Sequence, residues 1–366
     1  MNLYLKENNN IMNLFTLKAG YRALQVIKEE GLKASQVRII AGAAGGPKWI
    51  VLGGLDRYLF GQFFKGRKDP LYLVGASIAT WRYAAIAQKD PLEALENFRR
   101  AYFEQTYSAS PGPAEVTREA RRVMETYLSD DAIEYILNHP WMRLSVLAAK
   151  SRGLLASGSK KFLMPGLAAA AAMNFFSRRS LGCFFSRAFF YDARDIPPFY
   201  AMSEFPIERI PLSKENFREA VLASGSIPLA MEGIRNVPGA YPGTYRDGGM
   251  VDYQMDIPFN SNNNEVVLFP HYTNRVIPGW FDKHVPWRRP DRENMAGVLM
   301  ISPSDKFIEK LHGEKIPDRN DFKLFSGRDS ERIAVWDRAF ALSIEMAEEF
   351  KTAVETGSIA DALEPL

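Results

Sequence analysis

Residues 71–80 read LYLVGASIAT, an apolar run from Leu71 to Val74 that breaks into Gly75-Ala76-Ser77 and resumes with Ile78 and Ala79. This pattern predicts a strand that turns sharply into a helix. Such a turn holds a serine in a strained conformation with its Oγ above the sheet, and small residues two places either side let strand and helix approach closely. Ser77 is therefore the candidate nucleophile. An ordinary strand-to-helix turn with a small polar residue gives the same short pattern, so the surrounding motifs have to decide.

Upstream, the apolar run Val37-Arg38-Ile39-Ile40 leads into residues 42–49, GAAGGPKW, which open an apolar helix running to about Phe60. A helix start preceded by glycines offers unpaired N–H donors and the positive end of the helix dipole, suited to a phosphate or to a developing oxyanion. Lys48 adds a positive charge. A phosphate-binding P-loop is excluded on chemistry. Read from Gly42, it would need Gly at Pro47 and Ser or Thr at Trp49. Downstream, Tyr245-Arg246-Asp247-Gly248-Gly249 sets a carboxylate against two glycines, after Ala223-Ser224-Gly225-Ser226-Ile227-Pro228. Asp247 also fits a turn aspartate bonding its own backbone. Asp252 and Asp256 lie nearby but lack the following glycines.

These pieces, in this order, resemble the patatin-like phospholipase family over roughly residues 36–270. That resemblance implies an α/β fold of three layers, a mainly parallel central sheet flanked by helices. It also implies Ser77 as nucleophile, Asp247 as its base, and Gly45, Gly46, Lys48 and Ile78 around the oxyanion hole, with no cofactor. Three positions depart from the family pattern. Ala79 replaces the elbow's last Gly, Ala44 the first Gly of the oxyanion loop, and Trp49 the Gly after the basic residue. None removes a reacting group, but Trp49 would bring a large ring near the site and alter substrate shape. The implied activity is hydrolysis of carboxylic esters of lipids, phospholipase A-like or lysophospholipase-like, through a Ser-Asp dyad and an acyl-enzyme. Two other readings stay open: acyl transfer by the same dyad, and a non-catalytic lipid-binding protein. An unperturbed aspartate, with a pKa near about 3.9, is a poor base at neutral pH, so the site must raise its proton affinity by burial or compensate by orientation.

The four histidines, His139, His271, His284 and His312, allow one rival, a Ser-Asp-His triad with His271 following the apolar run 265–269. No histidine has metal-ligand spacing and Cys183 is the one cysteine, so no metal site is expected. With 366 residues and 46% hydrophobic content the chain can bury a large core. The single cysteine and the absence of a leader pattern in MNLYLKENNNIMNLF point to a reducing cytoplasm. Apolar runs are too interrupted for a spanning helix.

The net charge of +3 is unevenly spread. No Asp or Glu occurs between Tyr135 and Tyr191, whereas eight basic residues do: Arg143, Lys150, Arg152, Lys160, Lys161, Arg178, Arg179 and Arg187. Phenylalanines crowd the same stretch. Basic plus aromatic suggests a peripheral contact with an anionic membrane through residues 135–191, Arg178, Arg179 and Arg187 foremost. The alternative is a solvated helical cap. No nucleic-acid recognition motif accompanies the charge.

Along the chain, helix 17–30, strand 37–41, helix 47–60, strand 71–74 and helix 78–88 set an alternating rhythm that predicts a parallel sheet. From 91 to about 190 only helical patterns are apparent, predicting a helical insertion or cap within a single domain spanning 1–366. Strands are expected at 199–202, 209–212, 266–269 and 297–301, and helices at 214–222 and 330–355.

Overall fold

The computed structural model describes residues 14–366; most of the segment read for a leader lies outside them. The strands are β1 (Phe15–Ala19), β2 (Val37–Gly42), β3 (Leu71–Ala76), β4 (Met142–Ser151), β5 (Phe185–Tyr191) and β6 (Ile207–Pro211). They continue with β7 (Ile234–Arg235), β8 (Thr244–Asp247), β9 (Val266–Pro270), β10 (Val298–Pro303) and β11 (Leu363–Pro365). The sheet runs β11-β1-β10-β9-β2-β3-β4-β5-β6. Its centre, β10-β9-β2-β3-β4, is parallel throughout. Antiparallel pairing joins β1 to β10 and β4 to β5. Parallel strands covered on both faces read as continuous apolar runs, and β3, β9 and β10 are buried along their whole length. Helices cover the sheet, giving the mixed α/β architecture with a mostly parallel central sheet.

The helices that frame the central strands are α1 (Tyr21–Glu30), α2 (Gly53–Tyr58), α3 (Ile78–Ile86) and α4 (Pro91–Phe103). They are followed by α5 (Pro113–Tyr127), α6 (Asp130–Leu137), α7 (Lys160–Phe176) and α8 (Phe217–Ser224). A 28-residue helix, Asp329–Thr356, packs on α2. Every side chain of α3 is buried, which makes it the central helix behind Ser77. Its Arg82 forms a fully buried bidentate pair with Asp56 of α2, at 2.6 and 2.8 Å, fixing one helix against the other.

Three sequence expectations need correction. Residues 17–19 belong to β1 rather than to a long first helix; Gly20 ends the strand and α1 starts after it. The segment 91–190 is not a helical insertion throughout, because β4 and β5 lie within it and β4 joins the parallel core to the antiparallel edge. The apolar run of β4, MRLSVLAAKS, has no period that separates a buried strand from a buried helix, so only its partners decide. Residues 198–201 form a short 3₁₀ turn in place of the expected strand.

β4 also determines where the candidate residues meet. β3 pairs with β4 from Met142 to Leu147, and β8 pairs antiparallel with it from Ala148 to Ser151. β5 pairs with residues 145–151, and so takes the other edge. β3 and β8 therefore approach head-on along one edge, with Ala76 opposite Leu147 and Asp247 opposite Ala148. The chain can close this gap because Gly248 has no side chain. A Cβ there would lie 2.0 Å from the Leu147 carbonyl oxygen.

Candidate active site

Ser77 occupies the turn between β3 and α3 with φ 55° and ψ −128°, a region that residues with a Cβ rarely adopt. The strain is held by Ser224 at the end of α8. Its Oγ accepts from the Ser77 N–H at 2.8 Å and donates to the Leu147 carbonyl at 2.7 Å, tying the elbow to β4. The Asp247 N–H donates to the Ser226 carbonyl at 2.9 Å, so one short segment braces both candidate residues. The sequence had marked 223–228 as a motif, but not the bracing role of Ser224.

The Ser77 hydroxyl donates to Asp247 Oδ2 at 2.8 Å, and the Gly249 N–H donates to Oδ1 at 2.7 Å. Both side chains are almost wholly buried. Burial pushes the Asp247 carboxyl above the usual carboxylate range, opposed in part by these two hydrogen bonds and by the charges of Arg319 and Lys283. Asp252 and Asp256 are engaged elsewhere. Asp252 grips Arg187 bidentately at 2.7 Å, and Asp256 accepts from Asn294 Nδ2 at 2.8 Å and from the Asp291 N–H.

Gly42 pairs with Gly75, which puts the loop after β2 beside the elbow after β3. The methyl of Ala79 fills space that these two glycines leave open, since a Cβ on either would fall within 3 Å of it. The Ala44 N–H is spent on the Tyr253 carbonyl, at 2.8 Å. The N–H groups of Gly45, Gly46 and Ile78 have no backbone partner among the described residues. Trp49 does not border the site. Its ring is buried against Phe98, Tyr102 and Phe103 of α4, so the departure at this position leaves the mouth unobstructed.

Lys48 Nζ lies 4.8 Å over the Tyr272 ring, and Tyr272 donates its hydroxyl to the Ala44 carbonyl at 2.6 Å. Two further cations gather here that sequence reasoning missed. Arg319 runs beside Gly46, its Cγ 3.3 Å from where a Cβ would stand. Lys283 Nζ lies 4.2 Å over the Tyr253 ring, and that ring packs against Gly249. Crowding by protein pushes the Lys283 ammonium down to about 8, with Lys48 and Arg319 adding repulsion and Asp247 opposing. Burial lowers Lys48 too, with Arg319 and Lys315 acting in the same direction against Asp318. No local pattern announces Lys283 or Arg319; Lys283 lies in a short 3₁₀ helix, Trp280–His284, and Arg319 in a turn, and long-range packing delivers both.

His271 stacks on Tyr272 with ring centroids 4.8 Å apart. Its Nδ1 lies 2.6 Å from the Thr273 carbonyl oxygen and 3.1 Å from the Thr273 amide nitrogen, and its buried Nε2 has no partner among the described residues. Burial pushes it down to about 4. The Asp247 oxygens are filled by Ser77 and Gly249, so the geometry does not join His271 to them. Among the described residues no group of three or more His, Cys, Asp or Glu could hold a metal ion. A separate cavity of about 320 Å³, lined by Arg178, Arg179, Glu204, Phe205, Asp256, Asp291 and Asn294, shares no residue with the Ser77–Asp247 pair.

No family model matches the chain, and no curated protein matches it. Among solved structures it is similar to VipD from Legionella pneumophila, with TM-score 0.34 and 11% identity over 72% of this chain and 54% of that one. The chain thus spans about half the length of that structure, and at this level of likeness the functional reading rests on the site geometry.

Proposed function

We propose that the chain is a serine acyl hydrolase of the patatin-like kind, cleaving carboxylic esters of lipids that bear an anionic group. The observation that carries this reading is the 2.8 Å hydrogen bond from a serine on a strained strand-to-helix turn to a buried aspartate of raised proton affinity. In the proposed reaction Asp247 takes the Ser77 proton as Oγ bonds to the acyl carbon. The carbonyl π electrons move to oxygen, and the N–H groups of Gly45, Gly46 and Ile78 stabilise the oxyanion. Collapse breaks the ester C–O bond, and the leaving alkoxide takes the proton from Asp247. Water then adds to the acyl-enzyme with Asp247 again as base, releasing the acid and restoring Ser77. A dyad suffices because the base sits directly on the nucleophile.

Lys48, Lys283 and Arg319 support the anionic part of the reading. Three cations clustered beside a carbonyl-attack site, with Asp318 and Asp247 the acids that bear on them, suit a phosphate or carboxylate near the scissile ester. The test is labelling by a fluorophosphonate, expected on Ser77 and absent in Ser77→Ala, together with turnover of p-nitrophenyl esters. Labelling elsewhere, or undiminished turnover by a folded Ser77→Ala protein, would overturn it. Product analysis with an added alcohol acceptor separates hydrolysis from acyl transfer.

A further inference from the structure

Helix α7 is apolar nearly all round, yet it buries only the stripe Leu163, Gly166, Ala170 and Asn174. A helix of that composition is normally enclosed on every side. Here Phe162, Met164, Phe175 and Phe176 project into solvent, Phe176 with 86% of its surface exposed. Leu154 flanks the helix at Gly166, and Trp287, 59% exposed, meets Phe175 edge-on at 5.3 Å. An apolar surface of this extent marks an interaction site.

Charge identifies the occupant. Of the eight basic residues between Tyr135 and Tyr191, most are satisfied inside the protein. Arg187 is wholly buried on Asp252 and Glu204, Arg143 pairs with Asp195, and Lys150 with Glu208. Arg178 donates to the Val251 carbonyl and lies 3.4 Å from Asp282, so neither Arg178 nor Arg187 serves the membrane role expected of them. Arg179 borders the cavity that holds Glu204, Asp256 and Asp291. Arg152 donates to the Gly182 carbonyl and to Ser186 Oγ. Lys160 and Lys161 are exposed and without an ion pair among the described residues, at the start of α7. Arg289, also exposed, lies two residues beyond Trp287. The helix itself carries no carboxylate. An apolar face of Phe, Met and Trp with cations at its ends and no acid along its helix fits the headgroup layer of an anionic bilayer.

The buried side of the same helix is joined to the candidate site. Asn174 of α7 donates to Asp282 at 2.7 Å, and the adjacent Lys283 lies over Tyr253, whose ring packs on Gly249, the donor to Asp247.

We propose that the exposed face of α7, with Leu154 and Trp287, docks the protein onto anionic lipid surfaces mainly by apolar insertion, Lys160 and Lys161 supplying the preference for negative headgroups. Docking does not depend on the acyl-hydrolase reading, and the two are tested separately. Ser77→Ala protein, which leaves lipid intact, is sedimented at low salt with vesicles of phosphatidylcholine alone or mixed with phosphatidylglycerol. Tighter binding to the mixed vesicles is expected. Phe175→Ser with Phe176→Ser should weaken binding to both at least tenfold, on the scale of withdrawing two phenylalanines from an apolar phase. Lys160→Glu with Lys161→Glu should weaken binding to the mixed vesicles by about tenfold and leave binding to phosphatidylcholine little changed. Placed in the otherwise unaltered protein, both pairs should keep soluble-ester turnover, which verifies the fold. Failure to pellet with either vesicle, or unaltered pelleting by the phenylalanine variant, would overturn the proposal. So would a lipid-free dimer that this variant abolishes, since a second copy would then occupy the face. Pelleting without ester turnover would retain docking and remove the hydrolase reading.

Discussion

At Ser77 the backbone strain and the hydrogen bond to Asp247 work together: the turn exposes Oγ to one acceptor, and burial makes that acceptor more basic. Ser77→Ala should reduce ester turnover at least about 10³-fold. Asp247→Asn, which keeps shape and loses basicity, should cost roughly 10²-fold or more. Because the proposed reaction needs ionised Asp247, kcat/KM for a neutral ester should fall as pH drops, with a midpoint above the roughly 3.9 of a free aspartate. Lys283 and Arg319 favour the charged carboxylate, so Lys283→Ala or Arg319→Ala should move that midpoint to higher pH. An unshifted pH profile would show that neither cation is felt at the base. Lys283 itself, lowered to about 8, should lose its charge as pH rises past that value. KM for an ester with a nearby phosphate should then climb, while KM for a neutral ester stays level; steady-state kinetics from pH 6 to 9 on the two substrates reads the difference.

Among the elements, β4 brings Ser77 and Asp247 together, since it accepts β3 and β8 along one edge. The turn after β8 is held by a buried ion pair. Arg187 of β5 reaches Asp252 bidentately, five residues beyond Asp247, and both side chains are essentially without solvent exposure. Removing one partner strands the other charge in the interior, so Arg187→Met should destabilise the protein by about 3–5 kcal/mol. The midpoint of urea denaturation measures this, and ester turnover should fall with it as the Asp247 turn loosens. A shift of less than about 1 kcal/mol would mean that water reaches Asp252 and the pair does not brace the turn. This contact joins residues 65 positions apart, which is why the sequence presented Arg187 as a surface charge.

For the whole molecule, His139 and His271 make stability depend on pH. Burial lowers both to about 4, against about 6.5 in an unfolded chain. The folded state therefore resists protonating them. Their stability contribution is complete above pH 6.5 and is lost as pH falls through 4, on the order of 3 kcal/mol for each. The raised carboxyl of Asp247 acts in the opposite sense at the acid end. Nδ1 of His139 accepts from the Met142 N–H at 2.8 Å, a role that an amide oxygen can fill. Thermal melts of His139→Asn should thus lose less Tm between pH 7 and 5 than the parent; parallel curves would remove His139 as a source of the acid sensitivity. By itself the sequence determined what is local: the alternating strand and helix rhythm, the sharp turn at Ser77, the glycines after β2 and beside Asp247, and the apolar composition of α7. Backbone preference and side-chain size act over a few residues, so a short stretch suffices to read them. Tertiary structure alone decided that 142–151 is a strand with β3 and β8 on one edge. It likewise decided that Arg187 is an interior anchor, that Lys283 and Arg319 reach the turn holding Asp247, and that α7 leaves most of its apolar surface uncovered. Pairing, desolvation and exposure depend on which distant segments pack together, and the residues themselves carry no local mark of their partners.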